Sequence, residues 1–120
     1  MKTNLSFGTA IQHAQNGDLI AREGWNGKEM FVFVRPADEI NIRVVVNKIV
    51  SLPQAVKDYF DSKDDRVNQG EFGLGTVKFG AYLCMKAADG SIVNGWLASQ
   101  TDMLANDWCV LDPFVVQSDN

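Results

Sequence analysis

The chain's 120 residues predict an α+β fold, a mainly antiparallel sheet with one N-terminal helix and a second helix in the middle segment. Three observations carry that expectation. Apolar residues recur at helical spacing in two separate places, Phe7 to Ala14 and Ala55 to Phe60. Two turn dipeptides, Asn26-Gly27 and Asp89-Gly90, each stand between runs of strand-forming residues. Several of those runs are short and bounded by Gly or Pro, as hairpin strands are.

Taken in order, Ser6 to Asn16 reads as the first helix. Ser6 can cap it, Phe7, Ala10, Ile11 and Ala14 share one face, and Gly17 ends it. Leu19 to Arg22 is a short strand, and Gly24-Trp25-Asn26-Gly27-Lys28 turns the chain back into Met30 to Arg35. That returning strand is apolar on both faces, so both should be covered, by the helix or by another subunit. Pro36 breaks it. Asn41 to Val50 is rich in β-branched residues and reads as strand. Ser51 is expected to cap the second helix, which carries Ala55, Val56, Tyr59 and Phe60 and ends near Ser62. A polar, glycine-bearing loop follows from Asp61 to Gly75. Ala81 to Ala87 and Ile92-Val93 form a hairpin about Ala88 to Ser91, and Trp108 to Leu111 is the last strand, stopped by Pro113. Gln117 to Asn120 should fray.

Composition excludes several classes. A single domain over 1–120 is expected from the length. The net charge of −4, with no run of Lys or Arg, predicts no DNA or RNA partner. No segment reaches the roughly 20 apolar residues of a membrane span. The N-terminus lacks the apolar run of a signal peptide, so the chain reads as cytoplasmic. Cys84 and Cys109 fall inside strands and are expected as buried free thiols.

No catalytic, metal or cofactor site is expected. His13 is the sole histidine, the two cysteines lack zinc-ligand spacing, and no nucleophile-elbow pattern occurs. Asp61 to Arg66 has the acidity of a calcium loop, but Lys63 and Arg66 stand where acid and glycine are needed. Gly70-Glu71-Phe72-Gly73-Leu74-Gly75 has neither the order nor the context of a dinucleotide fingerprint.

What remains is a constellation for a ring and an anion. Trp25 stands in a turn with Arg22 before it and Asn26 and Lys28 after it. Trp96 and Trp108 bracket a polar Ser99-Gln100-Thr101-Asp102 run, where Ser99 or Thr101 can cap a turn of helix over Asp102 to Asn106. A helix start favours an anion, and indole faces stack on nucleobases. Arg22, Lys28 and Lys86 are the candidate partners for phosphate. The plainer alternative is a strand, a capped turn and a strand, with the tryptophans in the core.

The motifs A-R-x-G-W-N-G-K, at Ala21 to Lys28, and W-L-A-S-Q-T-D-M-L-A-x-D-W, at Trp96 to Trp108, together with Tyr82 to Gly90, resemble the second family of Thoeris anti-defence proteins, small proteins of phages and prophages. The likeness covers about the first 35 and the last 40 residues, and 36–80 is read as a family-variable insertion. The resemblance implies a non-enzymatic sponge that sequesters the immune signal 1″–3′ glycocyclic ADP-ribose in the cytoplasm of the infected host. It implies a homotetramer with pockets between subunits, and in some members a separate site for cyclic dinucleotide or oligonucleotide signals of the CBASS kind. The motif positions Trp25, Asn26, Thr101 and Asp102 would then bind ligand, Trp25 by stacking on adenine and the others by hydrogen bonds. Met103 and Trp96 would form the pocket floor and Trp108 the core. A nucleotide-hydrolysing enzyme and a phage structural or interaction module are the rival readings.

Overall fold

In the computed structural model, residues 2–64 and 75–114 are described, and the chain divides into two compact units. The first comprises 1–36 and 81–120, the second 37–80. The α+β expectation holds, with the sheet mainly antiparallel.

In the first unit, helix α1 (Phe7–Gln15) starts where the sequence places it, with the Ser6 hydroxyl accepting from the Thr9 N–H. Five strands follow: β1 (Leu19–Arg22), β2 (Phe31–Arg35), β5 (Tyr82–Lys86), β6 (Ile92–Asn94) and β7 (Trp108–Leu111). They lie in the order β6-β5-β2-β1-β7, every neighbour antiparallel. The N-terminal segment extends the β7 edge: Leu5 and Trp108 exchange backbone hydrogen bonds, and Val110 N–H donates to Lys2 C=O.

Register assigns each strand residue to a face. Ile20, Val32, Met85 and Val110 are aligned across the sheet, and α1 lays Ala10 and Ala14 against that face. The two alanines, Ile20, Val32 and Trp108 are fully buried. Alanine's small side chain lets the helix approach closely, and each buried Ile or Val contributes about 1.5–3 kcal/mol. The opposite face carries Ala21, Phe31, Phe33, Cys84, Cys109 and Leu111. Phe31 and Phe33 have ring centroids 6.2 Å apart. Among the described residues, no helix of this unit packs on that face. Cys84 and Cys109 are free and buried, as expected.

The Asn-Gly signal is realised in a longer connection than a tight hairpin. A 3₁₀ turn (Glu23–Trp25) precedes Asn26 at φ 58° and Gly27 at φ 66°, and β2 begins only at Phe31. At the other hairpin, the Asp89 carboxylate accepts from the Ser91 N–H and hydroxyl, and Gly90 takes φ 94°.

In the second unit several expectations are corrected. The Asn41–Val50 strand is instead the end of β3 (Asp38–Asn41) followed by helix α2 (Ile42–Lys48). Asn41 Oδ1 accepts from the Arg43 N–H at 2.7 Å, capping the helix. Ile42 and Val45, three apart, are buried on one helical face, so packing overrides the β preference of Val44-Val45-Val46. The next helix, α3 (Gln54–Lys63), starts after Pro53 with no side-chain cap, not at Ser51. Proline's fixed φ suits a helix start without one. It ends at Lys63, close to the expected end near Ser62, so that Asp61, the expected loop start, lies inside it, and Arg43 of α2 pairs with Asp61 and Asp64. On its expected stripe Phe60 packs inward, but Tyr59 is exposed under the Lys63 ammonium. Strand β4 (Thr76–Phe79), which the sequence reading missed, pairs with β3. The glycine run at 70–74 and the frayed end at 117–120 lie outside the described residues.

Candidate functional site

The ends of β1, β2 and β7 and the start of the short helix α4 (Gln100–Leu104) meet at one end of the first unit. Trp25, half-buried at the end of the 3₁₀ turn, sets its ring edge-on to two others: Trp108 at 5.4 Å between centroids and Trp96 at 6.3 Å. Trp108 is fully buried and its indole N–H donates to the Asp102 carbonyl at 2.8 Å. Three tryptophans distant in sequence thus form one cluster, worth about 0.5–1.5 kcal/mol per pair beyond area burial.

The Arg22 guanidinium ties this cluster to α4. It donates through Nη1 to Asp102 at 2.9 Å and through Nε to Asp107 at 2.8 Å. All three side chains are largely shielded, with exposures of 17% for Arg22, 16% for Asp102 and 29% for Asp107. The Arg22 hydrogen bonds hold the Asp107 carboxyl below its ordinary range. At Asp102 burial pushes upward, but hydrogen bonds from Arg22 and Ser99 outweigh it and the net shift is downward. Asp107 also accepts from the Gly24 N–H at 2.9 Å. A Cβ on Gly24 would lie 3.0 Å from that carboxylate, so any larger residue there would have to displace it by a few tenths of an ångström.

Ser99, one of the two expected caps, forms a capping box with Asp102: the Ser99 hydroxyl accepts from the Asp102 N–H, and the carboxylate from the Ser99 N–H. The start of α4 therefore already holds an anion, its own Asp102, where the sequence reading looked for a ligand's.

Beside the cluster is a cavity of about 250 Å³. Arg22, Trp25 and Lys28 line it, with Glu23, Glu29, Met30 and Cys109. Of the expected site residues, these three are brought to the cavity. Asp102 and Trp96 adjoin it through Arg22 and Trp25, whereas Asn26, Thr101 and Met103 are exposed and do not line it. Lys86, expected near phosphate, instead donates to the Glu29 carbonyl at 2.9 Å. Arg22 likewise spends its charge on two carboxylates, leaving exposed Lys28 as the cavity's cation against Glu23 and Glu29. Burial pushes the Cys109 thiol up, aided by Glu23, which keeps it protonated and a poor nucleophile. His13 pairs with Asp18 at 3.2 Å and does not line the cavity.

Sequence reasoning missed Asp107 and Gly24 as parts of this site. Both lie inside the quoted motifs, yet their contact spans more than 80 positions, and nothing local to either residue announces it.

The chain matches the family model for the Thoeris anti-defense 2-like domain over residues 5–111. It is 32% identical to "Thoeris anti-defense 2" of Bacillus phage SP01 over 111 residues, which is 92% of this chain and 99% of that protein.

Proposed function

We propose that this chain, which belongs to the Thoeris anti-defense 2 family, is a non-enzymatic sponge that sequesters 1″–3′ glycocyclic ADP-ribose and so silences Thoeris defence. Family membership makes its role anti-defence; the ligand and the mechanism are our inference. The observation that carries the reading is the convergence of both motifs. The one bearing Trp25 and the one bearing Asp102 meet at Arg22, beside a cavity that offers an indole and a lysine. A ring-and-phosphate ligand needs that pairing of an aromatic surface with a cation. Burial makes the Cys109 thiol a poor nucleophile and His13 does not line the cavity, so hydrolysis there would have to rest on Glu23 or Glu29.

Assembly completes the proposal. A sponge for a scarce signal needs a dissociation constant near nanomolar, about −12 kcal/mol. That requires near-complete enclosure of the ligand. One chain supplies an open cavity with two carboxylates against one exposed lysine, a poor match for a diphosphate. A homotetramer with pockets at subunit boundaries would add walls and charge. The sheet face with Phe31 and Phe33, on which no described helix of the first unit packs, is the surface we assign to assembly. No described helix is long and apolar enough to cross a membrane, which fits action in the host cytoplasm. A separate site for cyclic dinucleotide or oligonucleotide signals belongs to the same proposal, without a location.

Calorimetric titration of the purified protein with 1″–3′ glycocyclic ADP-ribose tests it, followed by heat denaturation and chromatography of the released ligand. Tight binding with intact recovery is expected. Product accumulating beyond one equivalent per site would establish an enzyme instead. Absence of binding to this ligand and to cyclic dinucleotides would favour an interaction module.

A further inference from the structure

The connection between β1 and β2 carries the cavity-lining Trp25, Gly27, Lys28 and Glu29, and its backbone is strained. Asn26 at φ 58° and Gly27 at φ 66° tolerate the left-handed region, but Glu29 at φ 57° does not do so without cost. A non-glycine residue holds such a conformation only when its surroundings impose it. Here two side chains from outside the connection hold its ends, Asp107 just before β7 and Lys86 at the end of β5. At the N-terminal end, the Asp107 carboxylate accepts from the Gly24 N–H at 2.9 Å while paired with Arg22. At the C-terminal end, the Lys86 ammonium donates to the Glu29 carbonyl at 2.9 Å, on the strained residue itself. Charge-assisted hydrogen bonds of this kind are roughly twice as strong as neutral ones.

We infer that Lys86 and Asp107 are positioning residues of the pocket, which clamp the two ends of this connection and so set Trp25 and Lys28 for the ligand without touching it themselves. The inference rests on the nucleotide-binding reading above. A connection released from either clamp samples other conformations, and affinity falls by the fraction of molecules that remain competent.

The test measures two quantities for the parent, Lys86→Met, Lys86→Arg and Asp107→Asn. One is the dissociation constant for 1″–3′ glycocyclic ADP-ribose. The other is the near-ultraviolet circular dichroism of the ligand-free protein, which reports the edge-on packing of Trp25 against Trp96 and Trp108. Lys86→Met is expected to weaken binding about tenfold, or ~1.4 kcal/mol, and to reduce the ligand-free tryptophan band. Lys86→Arg, which can still donate to the carbonyl, restores both. An unchanged ligand-free band in Lys86→Met overturns the inference: with weakened binding it marks Lys86 as a direct ligand contact, and with parental binding as having no role. Should Lys86→Met fail to fold, Asp107→Asn carries the same two readouts at the other clamp. If the parent binds no nucleotide, the functional reading falls, while the band still decides whether these residues hold the connection.

Discussion

Replacing Arg22 by Met keeps much of the aliphatic stem and removes the fork that joins β1 to α4 and to Asp107. Three contacts disappear: Nε to Asp107 at 2.8 Å, Nη1 to Asp102 at 2.9 Å and Nη2 to Asp107 at 3.5 Å. Two carboxylates are left in each other's neighbourhood without their cation. Breaking a buried pair costs about 3–5 kcal/mol, and an exposed one about 0–1 kcal/mol. With exposures of 16–29%, the site lies between these limits and nearer the first, so we expect a loss of roughly 2–3 kcal/mol. For a chain of this size that lowers the apparent melting temperature by roughly 10 °C.

The dependence on pH identifies the cause. Both carboxyl groups titrate below their ordinary value in the folded protein. Groups with depressed folded pKa contribute stability above the unfolded value, about 3.9 for Asp, and lose it as pH falls through the folded value. The gap between parent and Arg22→Met should therefore be full at pH 7 and close below about pH 4. It closes because the parent descends toward the variant. Thermal melts by far-ultraviolet circular dichroism, at matched protein concentration from pH 7 to 3, measure it. A gap under about 0.5 kcal/mol at pH 7, the range of an ordinary surface substitution, would refute the reasoning. So would a gap that persists unchanged at pH 3.

Three further outcomes are expected. Trp25→Ala should abolish nucleotide binding in calorimetry and cost about 1–3 kcal/mol of stability through the two lost aromatic pairs; a variant that binds normally would exclude Trp25 from the pocket. Gly24→Ala should disturb the Asp107–Arg22 pairing, because its Cβ would lie 3.0 Å from Asp107 Oδ2 and 3.3 Å from Arg22 Nη2; a thermal midpoint below the parent's and weaker nucleotide binding would register it. Asn41→Ala should remove the α2 cap at a cost of about 1 kcal/mol, read as faster amide exchange in residues 43–48 with exchange in β1 and β7 unaltered.

Local chemistry sufficed for most of the first unit's elements, though not for the 3₁₀ turn before Asn26-Gly27. Ser6 and Gly17 bound α1, Pro36 follows the end of β2, and Asp89-Gly90 turns β5 into β6, because each of these signals acts through the backbone of its own neighbours. The same logic failed at Asn41–Val50. There a run of β-branched residues competes with a cap and a helical spacing of buried positions, and only the packing of Ile42 and Val45 beside Val77 decides between them. Strand β4 was illegible for a related reason, since Thr76–Phe79 is a strand by virtue of its pairing with β3.

At the site, sequence alone was enough to single out Trp25 and the Ser99 to Asp102 run. Bulky aromatics in a turn and small polar residues at a helix start are conspicuous without any partner. Only the tertiary structure decided that Arg22 and Lys86 are committed within the protein, one to Asp102 and Asp107 and the other to the Glu29 carbonyl. It alone also decided which expected residues reach the cavity. The physical reason is range. A cap or turn is settled within a few bonds, whereas the ion pair between Arg22 of β1 and Asp107, just before β7, exists only after the sheet has brought together side chains 85 positions apart.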